Sequence, residues 1–217
     1  MQLALSSLHR VAGLQFFKML GTGRHFHYFP NFSVYGILGV WKDRTHAHRF
    51  FQTHSGFQPF AKRSREYFTL YLKNYQTHGY WSGQQPFMVT ADTPSADQPV
   101  VVLTRATINL ARLRSFWKQA LRINQQFAQH TDCWFSLGIG EWPVVQQATF
   151  SLWKDADSMK QFAYNSDLHR QAVRQTRRHH WFTEDLFARF LPIASEGSWE
   201  GKDPLKDHTD DQEITLR

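Results

Sequence analysis

The chain has 217 residues, of which 41% are hydrophobic and 16% aromatic, and its formal net charge is +7. The aromatic content excludes a disordered chain, and the single cysteine, Cys133, excludes an internal disulfide framework and favours a reducing compartment. The charge favours an anionic membrane surface, an acidic protein or a carboxylate-bearing cofactor, and no nucleic-acid-binding motif accompanies it. With neither a signal peptide nor an apolar run of the roughly 20 residues that cross a bilayer, we expect a cytoplasmic protein in peripheral contact with the inner membrane face.

The two halves of the chain repeat one unit. FFKMLGTG (16–23) corresponds to WFSLGIG (134–140), and VWKDRTHAHRFF (40–51) corresponds to LWKDADSMKQFA (152–163). Near the end of each copy stands a Trp-x-Gly motif, YWSG (80–83) and SWEG (198–201). Because the copies lie 112 to 118 residues apart, they indicate a duplicated domain rather than a solenoid.

The first copy is N-terminally short. Only 15 residues precede Phe16, whereas 33 residues of the second copy, 100–132, precede its counterpart Cys133. Either the true start of the protein lies upstream of Met1 or the first sheet lacks its opening strand, and we favour the upstream start because an unpaired sheet edge is a liability. The first repeat with its linker spans 1–94, since residues 88–99 have the composition of a linker.

The second copy, 95–201, predicts six elements in a recognisable order. β-Branched or alternating segments predict strands at 100–108, 133–140, 144–153 and 184–193, and helical spacing predicts helices at 110–130 and 155–180. The order β-α-β-β-α-β is that of the ferredoxin-like unit. The fold class is therefore α+β, with tandem ferredoxin-like units packed as an α+β barrel. The remaining residues, 202–217, form a polar tail that we expect to be disordered.

One histidine lies within an apolar helical stripe. Met159, Phe162, Ala163, Ser166 and His169 follow steps of three and four, so His169 is expected on the buried face of a helix. Phe57 stands at the matching position of the first copy, so the fold itself does not require a histidine there. A hydrogen-bonded core histidine and a haem ligand both fit.

A stripe of arginines runs beside His169, comprising Arg170, Arg174, Arg177 and Arg178. A solvated helix face explains them, and so does a role in binding the propionates of haem, because guanidinium groups pair well with carboxylates. The chain carries no P-loop, nucleophile elbow or HExxH motif. The residues thus leave both interpretations of the stripe open.

Several motifs together resemble the spheroidene monooxygenase family of carotenoid biosynthesis. They are LTRATI (103–108), GIGEWPVVQQATFSLWKD (138–155), MKQFAYNSDLHRQAV (159–173) and WFTEDLFARF (181–190), with LHRVAGLQFFKMLGTG and YWSG in the first copy. The resemblance implies a haem b monooxygenase related in fold to dimeric α+β barrel haem proteins. Such an enzyme oxygenates an acyclic carotenoid near its end, first to a hydroxyl and then to a ketone. It takes oxygen from O2 and electrons from a ferredoxin-type donor.

The resemblance also suggests site residues. His169 is the expected iron ligand, with Arg170 and Arg174 beside it. Arg105 is expected to pair with a propionate, Gln147 to bind the iron-bound oxygen, and Glu141 to relay protons, all on strands facing the presumed cavity.

Other functions stay open at this stage. The same fold suits a different haem enzyme, such as an aldoxime dehydratase-like one, a non-catalytic haem-binding protein, or a barrel without cofactor in which His169 is a core residue. Nucleic-acid binding ranks last, because the aromatic residues follow core patterns. The oligomeric state does not follow from the sequence.

Overall fold

The computed structural model describes residues 11–23, 30–118, 120, 130–142, 144–165, 176 and 180–209. The first repeat comprises β1 (Leu14–Gly23), β2 (Pro30–Trp41), α1 (Arg44–Thr53), α2 (Gln58–Arg63) and β3 (Phe68–Gly79). The second comprises β4 (Val100–Ile108), a 3-10 turn (Leu110–Arg112), helical residues 113–118, β5 (Cys133–Trp142), β6 (Gln146–Trp153), α3 (Ala156–Asn165) and β7 (Phe182–Gly197). None of the helices described has the length and apolar character needed to cross a membrane.

The second repeat is the predicted ferredoxin-like unit. Its strands lie in the order β5-β6-β4-β7, so the opening strand β4 lies between the third and fourth strands of the unit. An aspartate caps the equivalent helix of each repeat: the Asp43 carboxylate accepts from the His46 amide at 3.0 Å, and the Asp155 carboxylate accepts from the Ser158 amide at 2.7 Å.

The two repeats join into one antiparallel sheet. The described residues form seven strands in the order β2-β1-β5-β6-β4-β7-β3, so the repeats meet at the β1–β5 and β3–β7 pairs. At the first junction Thr22 pairs with Ile139, which are equivalent positions of the Gly-x-Gly motifs. Side chains from both ends of this order share one core, so the sheet curls into a half-barrel. The predicted α+β barrel is confirmed in this form.

The edges of the sheet belong to the first repeat. In the described part of the chain this repeat contributes three strands, and β2 and β3 are the two edges. Their counterparts in the second repeat, β6 and β7, have the opening strand β4 between them. The described first repeat therefore has the strand content that its short sequence predicts.

Each face of the sheet buries a different cluster. The inner face packs Val101, Leu103, Leu152 and Leu186, all at most 1% exposed, against Trp81 of the first repeat. The outer face of the second repeat packs against α3 through a smaller cluster of Val100, Val102, Trp153, Met159 and Phe162. Strand alternation therefore decides which side chains can meet, because neighbouring residues point to opposite faces.

The chain after Gly201 is packed where it is described. Leu205 is 1% exposed and belongs to the inner core, and the Asp203 carboxylate accepts from the Ser195 hydroxyl at 2.7 Å. The prediction of a disordered tail from Lys202 is thus wrong for residues 202–209, because one apolar side chain anchors a polar segment. Residues 210–217 lie outside the described residues.

Two glycines with positive φ offer a test of the packing at the end of β3. Gly79 has φ +90°, and a Cβ there would collide with the backbone carbonyl of Asp185, whereas Gly201 has φ +77° and open space around it. We expect Gly79→Ala to lower the free energy of unfolding by about 2–4 kcal/mol and Gly201→Ala by about 1 kcal/mol, because only the first adds a clash to the left-handed backbone cost. Urea denaturation measures both, and equal losses would contradict the β3–β7 packing.

Candidate functional site: an ionic cluster at one end of the half-barrel

A buried arginine occupies the inner face of the sheet. Val101 and Leu103 of β4 belong to the inner core, and alternation along the strand places Arg105 on the same face. Arg105 is 2% exposed, so its charge is removed from water. A guanidinium group stays protonated in proteins, and a buried one needs carboxylate partners.

Two carboxylates from neighbouring strands pair with this guanidinium. Arg105 Nη1 donates to Glu184 at the start of β7, and Nη2 donates to Glu141 near the end of β5 at 3.3 Å. The guanidinium carbon also lies 5.6 Å from the centre of the Trp81 ring. The side chain therefore links β4 to two other strands and to the segment that follows β3.

Glu141 binds two further donors from the first repeat. Lys18 Nζ of β1 lies 2.5 Å from Glu141 Oε1, and the Trp81 indole nitrogen donates to Glu141 Oε2 at 2.7 Å. Burial raises the pKa of Glu141, but the Lys18 and Trp81 hydrogen bonds and the charges of Lys18 and Arg105 outweigh it and hold the pKa below its ordinary value. Glu141 is therefore a carboxylate at neutral pH.

Glu184 binds the turn after β3. Its carboxylate accepts from the amides of Ser82 at 3.0 Å and Gly83 at 2.7 Å, and both residues have positive φ. Glycine adopts this conformation without strain, which explains the Trp-x-Gly motif. Although burial raises the pKa of Glu184, these amides and Arg105 keep it below the ordinary value. The cluster thus holds two cations and two carboxylates, and its charges cancel.

The second Trp-x-Gly motif forms the same kind of turn. Glu66 stands 118 residues before Glu184, and its carboxylate accepts from the amides of Glu200 and Gly201, each at 2.8 Å, and from the Ser198 hydroxyl at 2.7 Å. These donors hold the pKa of Glu66 below its ordinary value, the Gly201 amide most of all. The carboxylate-bound turn is therefore a property of the repeat, and Arg105 adds a charged centre to the copy around Glu184.

The predicted strand residues do not converge on one cavity. Gln147 of β6 pairs in register with Ala106, the neighbour of Arg105, so it lies on the outer face of the sheet. Arg105 and Glu141 lie together on the inner face, where Arg105 binds protein carboxylates. The expectation that all three residues face a common cavity is wrong, because alternation separates Gln147 from the other two.

The outer face carries the apolar stripe that contains His169 in the sequence. Met159 and Phe162 are buried against β4 and β6, as the stripe predicts. His169, Arg170 and Arg174 lie outside the described residues. Nearby, burial raises the pKa of the Cys133 thiol to about 12, so this thiol is protonated at neutral pH and does not suit a thiolate ligand.

Three polar atoms around this outer cluster are buried without a hydrogen-bond partner: His130 Nδ1, Tyr75 Oη and Arg189 Nε. His130 lies 5.4 Å from Trp153 and 5.6 Å from Phe162, measured between ring centres. Tyr75 packs against the same apolar cluster, and Arg189 stacks on Phe187 at 5.0 Å. Buried polar groups normally have partners, so this side retains hydrogen-bonding capacity for a bound group.

A cavity of about 380 Å³ lies in the first repeat between α1 and the start of β1. His46 and His54 line it, but His46 Nδ1 lies 2.8 Å from an Asp43 carboxylate oxygen and His54 Nδ1 accepts from the Gly56 amide at 3.1 Å. The cavity belongs to the copy in which Phe57 occupies the sequence position that corresponds to His169.

Sequence reasoning missed three members of the ionic cluster: Lys18, Trp81 and Glu184. The signal for two of them was present, because Trp81 and Trp199, like Glu66 and Glu184, stand 118 residues apart. Lys18 carried no such signal, since its partner Glu141 is 123 residues away in the chain.

Comparisons with known proteins extend over both repeats. The chain is 37% identical over 202 residues to a spheroidene monooxygenase of Cereibacter sphaeroides, covering 91% of the chain and 62% of the relative. It is 36% identical over 195 residues to a spheroidene monooxygenase of Rhodobacter capsulatus, covering 88% of the chain and 81% of the relative. A putative monooxygenase structure from Fusobacterium nucleatum aligns with a TM-score of 0.44 and 9% identity, over 90% of this chain and 83% of that one. No protein-family profile matches the chain.

Removal of the central cation tests the ionic cluster. We expect Arg105→Met to lower the free energy of unfolding by about 3–5 kcal/mol, because two partly buried carboxylates then lose their shared, fully buried partner. The matched control is Arg44→Met, which breaks a half-exposed pair to Glu196 at 3.6 Å and is expected to cost about 0–1 kcal/mol. Chemical denaturation compares the two, and similar losses would contradict the central role of Arg105.

Acid should weaken the cluster in a defined direction. Glu141 and Glu184 have pKa values below their ordinary range, so their contribution is complete above the unfolded-state pKa and is lost as the pH falls through the folded-state pKa. We expect the free energy of unfolding to fall as the pH decreases below about 5, and less steeply in Glu141→Gln. Urea titrations at several pH values measure this slope, and an unchanged slope in the variant would refute it.

Proposed function

Since the chain belongs to the spheroidene monooxygenase family of oxidoreductases, we propose that it is a haem-dependent monooxygenase that hydroxylates an acyclic carotenoid and then converts the alcohol to a ketone. The observation that carries this proposal is the identity of 36–37% to two curated relatives over about nine tenths of the chain. The chain spans 62% of the length of one relative and 81% of the length of the other. The activity of the full-length relatives is therefore a proposal for this chain.

We infer that haem binds on the outer side of the sheet rather than on the inner side. On the inner face both Nη atoms of Arg105 bind protein carboxylates, and the apolar side chains fill the space between the strands. A propionate there would have to displace Glu141 or Glu184. On the outer face, the unpartnered atoms of His130, Tyr75 and Arg189 lie around the buried rings of Trp153 and Phe162. Apolar rings with polar atoms beside them suit a large flat group with polar edges.

The chain's own residues divide the work. His169 continues the stripe of Met159 and Phe162, so it would hold the haem iron on the outer side, with Arg170 and Arg174 pairing with the propionates. When bound, haem supplies the reductive activation of O2 that insertion of oxygen into a C–H bond requires. Gln147 lies on the outer face of β6, and its side-chain amide would donate a hydrogen bond to the O2 that the site takes up.

Arg105 and Glu141 take a different part from the one expected from sequence. Their mutual pairing suits them to hold the strand ends rigid, and the charge on Glu141 removes it as a proton donor at neutral pH. Rigid support matters because a displacement of a reacting group by about 1 Å can lower the reaction rate by about a hundredfold. Each hydroxylation consumes O2, two electrons and two protons and releases water. A ferredoxin-type protein would supply the electrons, and the second hydroxylation gives a geminal diol that loses water to form the ketone.

Absorption spectra test the haem ligand. We expect the wild-type chain reconstituted with haem to show a sharp Soret band, and His169→Ala to lose or shift it. The control is His48→Ala, an exposed residue on α1, which should leave the band unchanged. Identical spectra for wild type and His169→Ala would exclude His169 as the ligand.

Turnover separates the enzyme from a non-catalytic haem protein. The reconstituted chain is given O2, reduced ferredoxin and an acyclic carotenoid, and the products are separated by chromatography. Hydroxylated and keto carotenoids would support the proposal. Stable haem binding without any product would favour a haem-binding protein or a different haem reaction.

A further inference from the structure

Four large apolar side chains are exposed at one end of the half-barrel. Tyr80, Leu110, Trp142 and Val144 are 52%, 70%, 71% and 40% exposed, respectively. β3, β4 and β5 end there and β6 and β7 begin there, so this is also the end that holds the ionic cluster. We call these four residues the apolar rim.

Backbone contacts hold the segments of the apolar rim at this end of the sheet. The Ile108 amide donates to the Val145 carbonyl at 2.8 Å, which brings the segment with Leu110 beside the turn with Trp142 and Val144. The Trp117 indole donates to the Val144 carbonyl at 3.1 Å and fixes the following helical residues against that turn. On the other side, the Tyr80 amide donates to the Asp185 carbonyl at 2.7 Å. Exposed apolar groups gathered in this way mark an interaction surface.

The segment that follows β4, which contributes Leu110 to the apolar rim, carries charge of one sign. The segment 110–118 carries Arg112, Arg114 and Lys118 and no acidic residue, and all three basic side chains are exposed. Tryptophan and tyrosine prefer the boundary between lipid and water, and basic side chains are attracted to anionic headgroups.

We propose that the apolar rim docks the protein on the surface of an anionic lipid bilayer. Trp142, Leu110 and Tyr80 would enter the boundary between headgroups and acyl chains, while Arg112 and Arg114 remain at headgroup level. The end of the half-barrel with the ionic cluster then faces the lipid. Docking at this surface does not depend on the reaction proposed above, because it involves only exposed side chains of the described chain.

Co-sedimentation with vesicles tests the proposal on the full chain. Vesicles of phosphatidylcholine alone are compared with vesicles of phosphatidylcholine and phosphatidylglycerol. We expect Leu110→Ser with Trp142→Ser to weaken partitioning by at least about tenfold, since two large apolar side chains no longer leave water. We expect Arg112→Gln with Arg114→Gln to weaken binding to the anionic vesicles by about fivefold per charge, and less as salt is added.

The matched control is Tyr67→Ser. Tyr67 is 62% exposed but precedes β3 at the opposite end of the sheet, so its removal should leave partitioning unchanged. Circular dichroism confirms that each variant is folded, as exposed positions should allow. The proposal is overturned if wild type stays in the supernatant with both vesicle types, or if Tyr67→Ser loses as much binding as the Leu110 and Trp142 variant. It is also overturned if Arg112→Gln with Arg114→Gln leaves binding to the anionic vesicles unchanged and weakens only binding to an acidic protein.

Discussion

The buried Arg105 guanidinium is the constraint on which the rest of the half-barrel depends. A permanent charge at 2% exposure is tolerable only with carboxylates at fixed positions, and Glu141 and Glu184 come from strands on different sides of β4. Lys18 and Trp81 then tie the first repeat to the same centre. A shift of one residue in the register of β4 would turn the arginine to the other face, so the cluster specifies the pairing as well as the packing.

The two faces of the sheet differ in the side chains that they bury. The inner face is filled by side chains and closed at one end by four charges that cancel. The outer face packs against α3 and retains unpartnered polar atoms around the buried rings of Trp153 and Phe162. These atoms make the outer face the side on which we propose that a prosthetic group binds, since both Nη atoms of Arg105 on the inner face already bind protein carboxylates. The apolar rim lies where the strand ends of both faces meet solvent.

The duplication explains what the two copies share and where they differ. Thr22 and Ile139 meet at equivalent positions, and Glu66 and Glu184 bind equivalent turns, so the two copies share their scaffold. They differ where chemistry is expected, with Phe57 opposite His169 in the alignment of the copies. Arg105 lies on the opening strand of the second copy, and the described first copy has no strand in that position.

The sequence by itself determined the elements and their order, because local patterns suffice for them. Strand β4 spans the predicted residues 100–108, and Met159 and Phe162 are buried as the stripe predicts. Only the tertiary structure decided which residues meet. Glu141 and Lys18 are 123 residues apart, Gln147 lies on the face opposite to Arg105, and Leu205 anchors a segment with the composition of a disordered tail. Such contacts depend on strand pairing and curvature across the whole sheet, which no local pattern of residues records.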